Sequence, residues 1–148
     1  MTIYDVPRLL RAGSSGLYRL DAYPDNSRMR RLCVIRHTRF FRVDVAGRLT
    51  RRAFLKACAR GMHFPGWFGQ NWDALSDCLT DLTWAPANAY LVVLEGAQGF
   101  AAAAPPNFRR ALKIFEDAAL AWSQRGVRFQ VVVSSDEARN PLTLLREL

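Results

Sequence analysis

Ala89-Tyr90-Leu91-Val92-Val93-Leu94 is apolar at every position. A strand with one face in water alternates apolar and polar residues. A run that is apolar on both faces belongs in the middle of a covered sheet, as central parallel strands do. Residues 127–134 have the same character around Val131-Val132-Val133, and residues 40–46 alternate, with Phe41, Val43 and Val45 on one side. Helical patterns separate these strands. Thr50 can cap a helix from about 51 to 61, with Phe54, Leu55, Cys58 and Met62 at helical spacing. Asn71 can cap a second helix from 72 to about 82. Pro105-Pro106-Asn107 opens a third over about 108–124, with Phe108, Ala111, Leu112, Phe115, Ala119 and Trp122 as its core stripe and Gly126 at its end. Strands alternating with helices imply an α/β fold, here with a small three-stranded parallel sheet flanked by helices.

The flanks read less regularly. Residues 1–38 form an N-terminal extension of unassigned role, in which Gly16-Leu17-Tyr18-Arg19-Leu20 can make a short strand and Tyr23-Pro24-Asp25-Asn26 a turn. The core domain spans 39–135. From 135 onward a polar turn and a short helix are expected, so that 136–148 form a C-terminal tail.

Composition narrows the function. The chain has 148 residues, half of them hydrophobic, enough for one domain with a substantial core. No apolar run approaches the roughly 18–20 residues of a membrane span. The start lacks a basic segment followed by an apolar one, so no signal peptide is expected. Cys33, Cys58 and Cys78 are an odd set without metal-type spacing, as free thiols in a reducing cytoplasm would be. No metal or cofactor is expected. Net charge is +8, but it is unevenly spread. Residues 1–60 hold 14 Arg and Lys against 4 Asp and Glu, whereas residues 61–108 hold no Arg or Lys and four carboxylates: Asp73, Asp77, Asp81 and Glu95.

Three of those carboxylates share one helix. At 100° per residue, Trp72, Leu75, Cys78, Leu79 and Leu82 fall on one arc, and Asp73, Ser76, Asp77, Thr80 and Asp81 fall on the other. One side packs on a core. The other carries carboxylates at i, i+4 and i+8, each like-charged neighbour opposing the helix by about 0.2–0.5 kcal/mol. Asp81 also lies near the negative end of the helix dipole. No Lys or Arg stands nearby in sequence. Basic residues elsewhere in the fold could neutralise the row; otherwise a partner does. The preceding loop favours a partner, because Trp67 and Phe68 stand between Gly66 and Gly69, where glycines let the backbone turn tightly and present aromatics. Aromatic anchors beside charges are typical of binding hot spots. Phe68 is expected to be more buried than Trp67.

The segment Phe64-Pro65-Gly66-Trp67-Phe68-Gly69-Gln70-Asn71-Trp72-Asp73-Ala74-Leu75-Ser76-Asp77-Cys78-Leu79 resembles the signature of the barstar family of ribonuclease inhibitors. The resemblance covers about residues 40–134. It implies a protein that plugs the active site of a secreted, basic, barnase-like ribonuclease of the guanyl-specific type, in a one-to-one complex in the cytoplasm of the producing cell. It places Trp67, Phe68, Gly69, Asn71, Asp73, Ser76 and Asp77 at the partner interface. Asp77 would reach deepest, in place of an RNA phosphate, with Asp73 pairing with nearby basic groups and Trp67 packing on the catalytic region. Asp117 would make a peripheral acidic contact. Ser76 stands where a Trp is familiar in the family.

Other readings compete. The same fold could serve as an immunity or interaction protein for a different toxin or partner. The Arg-rich N-terminal third (Arg28, Arg30, Arg31, Arg36, Arg39) could bind nucleic acid with a steep salt dependence. An enzyme is disfavoured: His37 and His63 are the only imidazoles, and neither sits in a recognisable Ser/Cys–His–Asp pattern.

Overall fold

A computed structural model describes residues 6–20 and 26–134. The expected turn at 23–26 falls mostly, and the tail at 135–148 wholly, outside the described residues. Along the chain run α1 (Val6–Ala12), β1 (Gly16–Leu20), α2 (Asn26–Ile35), β2 (Arg39–Asp44), α3 (Arg51–Met62), α4 (Trp72–Asp81), β3 (Ala89–Glu95), α5 (Gln98–Ala103), α6 (Pro105–Gln124) and β4 (Arg128–Ser134).

The sheet is parallel throughout and ordered β1-β4-β3-β2. It has four strands, and the expected three is corrected by β1. That strand pairs with β4 from Gly16 opposite Gln130 to Leu20 opposite Ser134. Leu91, Val93 and Val132 point to one face, where Leu9, Leu10, Met29 and Cys33 of α1 and α2 cover them. Tyr90, Val92, Leu94, Val131 and Val133 point to the other, into the larger core shared with α3, α4, α5 and α6. The doubly apolar run at 89–94 is thus explained: β3 is buried on both faces. The residues before 38 provide both a strand and the second cover. Long-range hydrogen bonds tie them in. Gln130 Nε2 donates to the Leu9 carbonyl at 2.9 Å, and Arg128 donates to the Leu10 carbonyl and to Thr38 Oγ1, each at 2.7 Å.

Local signals behave as their chemistry requires. Thr50 Oγ1 accepts from the Ala53 N–H and caps α3. The chain leaves α6 through Gly126, whose φ of 78° is left-handed, while the Val127 N–H reaches back to the Trp122 carbonyl at 3.0 Å. At the other end α6 begins at Pro105, earlier than expected, because prolines are tolerated in a first helical turn. Trp122 is only half-buried, unlike the rest of its stripe.

Candidate functional site

Helix α4 is fixed by its cap and its apolar face. Asn71 Oδ1 accepts from the Ala74 N–H at 2.8 Å, and its side-chain amide leans on the Gly69 carbonyl at 3.4 Å. Trp72, Leu75, Cys78 and Leu79 are buried against the core. The opposite face turns outward: Asp73 and Asp77 are exposed, and Ser76, Thr80 and Asp81 are half-buried. Thr80 spends its hydroxyl on the Ser76 carbonyl at 2.9 Å.

The four carboxylates of the acidic segment divide by partner. Glu95 is neutralised internally, accepting from Arg42 Nε at 2.6 Å. Asp81 accepts from Thr83 Oγ1 at 3.1 Å. Among the described residues, no Arg or Lys forms an ion pair with Asp73, Asp77 or Asp81. One basic residue does come to this helix. Arg125, stacked 4.6 Å over Trp122, donates to the Thr80 carbonyl at 2.6 Å. It satisfies an orphan carbonyl at the negative end of α4, near Asp81, and leaves the two exposed aspartates at the other end untouched. Trp122 Nε1 likewise donates to the Leu79 carbonyl at 2.7 Å, so α6 clamps the end of α4.

The loop before α4 holds an aromatic cluster. Phe68 is half-buried against Phe64, ring centroids 4.9 Å apart, and Trp67 is 59% exposed, so the expected ranking holds. Trp84, overlooked in the sequence, organises both rings. It meets Phe64 edge-on at 5.9 Å and Trp67 edge-on at 6.4 Å, and its Nε1 donates to the Met62 carbonyl at 3.0 Å. Its only signal was a Trp three residues beyond the end of a helix. The loop's left-handed residue is also not the expected one: Gln70 has φ 53°, whereas neither Gly66 nor Gly69 has a positive φ. Gly66 and Gly69 supply room instead. A Cβ at Gly66 would meet nothing within 4 Å, and one at Gly69 would make ordinary contact with Asn71 and Ala74.

Asp117 lies elsewhere, exposed on α6, its carboxylate 3.0 Å from Lys113 Nζ one turn away. The cysteines are free and buried. Burial, and after it the charges of Asp77 and Asp81, pushes the Cys78 thiol up to about 11, which keeps it protonated and inert at neutral pH. Among the described residues no three His, Cys, Asp or Glu side chains gather as a metal site. No helix among them is long and apolar enough to cross a membrane.

A family model described as Barstar (barnase inhibitor) matches residues 38–134. None of the curated proteins compared matches the chain. Among solved structures, the chain is similar to the ORC2 protein of Aeropyrum pernix in its ADP form, at 18% identity and a TM-score of 0.57. The match covers 95% of this chain and 40% of that one. At that identity the likeness concerns the fold alone, and the chain spans well under half the length of that structure.

Proposed function

The chain belongs to the barstar family, and from that premise we propose that it inhibits a barnase-like ribonuclease by seating α4 and the Trp67 loop in the enzyme's active site. It works by binding, in a one-to-one complex, in the cytoplasm of the cell that makes the enzyme. The observation that carries this reading is the pair Asp73 and Asp77: exposed, one turn apart, and without an internal cation among the described residues. A cavity built for RNA phosphate offers Arg, Lys and His groups, and carboxylates held on a rigid helix can satisfy them. Asp77 takes the phosphate's place, Asp73 pairs at the rim, and the exposed ring of Trp67 supplies the apolar anchor.

Asn71 and Gly69 contribute through placement. Asn71 caps the helix that presents the aspartates, and Gly69 keeps the loop close to Ala74. Ser76, half-buried between the two aspartates in sequence, offers a small polar contact where a larger ring would fill more of the enzyme's cleft.

The test is titration of RNA cleavage by a barnase-type ribonuclease with the wild-type chain and with Asp77→Ala. Wild type should abolish cleavage at equimolar ratio. Asp77→Ala should weaken the complex by about 2–5 kcal/mol, with the thermal midpoint unchanged or slightly raised. An Asp77→Ala protein that unfolds would make the residue structural and end this reading. A well-folded wild type that leaves the enzyme active would assign the acidic face to a different basic partner.

A further inference from the structure

Strand β2 lies at the open edge of the sheet. There it joins α2 and the end of α3 around a cavity of about 590 Å³ that shares no residue with the acidic face. Arg30 and Cys33 come from α2, Arg39 and Phe40 from β2, and Arg60 and His63 from the end of α3. No acidic side chain lines it. Arg42 also reaches it but is held by Glu95 and Asp44. Among the described residues, Arg30, Arg39 and Arg60 form no ion pair.

Collecting like charges around one hollow costs energy unless an anion fills it. Two of the cations are also oriented. The guanidinium of Arg30 lies 5.3 Å over the Phe40 ring and that of Arg39 lies 5.5 Å over Phe41. Stacking holds a guanidinium by its flat face and leaves its N–H edge for an acceptor. Three such forks exceed what one carboxylate can accept, and they suit a phosphate, with more oxygens and more charge. The volume lies within the range of small-molecule pockets, about 300–1,000 Å³, and exceeds what a bare ion requires. The half-buried Phe40 and the buried Cys33 give it an apolar wall. Burial pushes the Cys33 thiol up to about 11, so it serves as wall and not as nucleophile.

We propose that this cavity binds a nucleotide by its phosphate, through Arg30, Arg39 and Arg60, with the base or sugar against Phe40. The nucleotide is free or is one unit of a single-stranded RNA; the chemistry is the same. Because the acidic helix takes no part, failure of this proposal leaves the inhibitor reading standing, and the converse holds.

The test uses the full chain and the variant Arg39→Ala/Arg60→Ala, whose positions are exposed, with thermal melts to establish that it folds. The probes are AMP, followed by calorimetry, and a short single-stranded RNA, followed by anisotropy over a salt series. Saturable AMP binding that is lost in the folded variant supports the site. If RNA binds more tightly than AMP, the slope of log K against log salt should fall by about 1.4 in the variant, at about 0.7 per lost phosphate contact, and the strand is the natural source. If RNA gains nothing over AMP, the free nucleotide is. Absence of binding by both probes at low salt, or binding that survives the double substitution, overturns the proposal. So does poly-glutamate outcompeting both, which would make the cavity a seat for an acidic peptide.

Discussion

The acidic face of α4 and the arginine-lined edge beside β2 are opposites built by the same rule. Each gathers one sign of charge, each leaves its principal members without an internal counterion among the described residues, and each sets those charges beside aromatic rings. They differ in shape. The aspartates project from a convex helix, whereas the arginines surround a hollow. A convex anionic ridge fits into a partner; a concave cationic hollow receives one. The net charge of +8 describes neither surface. At physiological ionic strength charges are screened beyond about 8 Å, so a basic enzyme close to α4 meets the local carboxylates before the average.

The largest way to break this contrast is to reverse the ridge. Asp73→Lys/Asp77→Lys places cations against a cationic active site. Binding to a barnase-type enzyme should fall by more than the 2–5 kcal/mol or so that truncating one buried charge costs, while circular dichroism stays that of the wild type. A second variant tests the hollow through the backbone that shapes it. Gly61 lines the cavity, and a Cβ there would lie 2.6 Å from the Arg42 carbonyl oxygen and 3.0 Å from the Val43 Cα. Those are backbone atoms and cannot step aside, so α3 must lift from β2. Gly61→Ala should lower stability by about 1–3 kcal/mol in urea denaturation, the roughly 1 kcal/mol gained in helix propensity being too small to reverse the sign. The gentlest change sharpens the account of the ridge itself. Asp77→Asn relieves like-charge repulsion one turn away on either side and should raise the stability of the free protein by about 0.2–0.5 kcal/mol per pair, a small increase in the urea midpoint. A decrease would mean that Asp77 has a structural partner.

The ridge was legible in the sequence because α4 separates its faces cleanly; each apolar position found the core, and Asp73 and Asp77 found solvent. The same holds for β3, whose apolar run states its double burial. The opposite end of the chain was opaque for a physical reason. In α2 only Met29 and Cys33 are buried, among residues rich in Arg, and two positions one turn apart make a faint stripe. β1 is five residues long and takes its meaning from β4, more than a hundred residues away. No local pattern reports such a pairing. The hollow was invisible likewise, since its arginines come from three elements and converge only in space. In the loop, the glycines were read as the turning points, yet the backbone turns left-handed at Gln70.

The place of β4 between β1 and β3 bears on how the molecule is made. It is the last strand of the described chain and the one on which both neighbours depend. A nascent polypeptide emerging from the ribosome exposes β1, β2 and β3 before the strand that joins the first to the rest exists. Until residues 128–134 emerge, β1 has no neighbour in the sheet and its helices have no complete surface to cover. Long-range parallel pairing is slow to form, so the amino-terminal third waits longest for its place, although it is synthesised first.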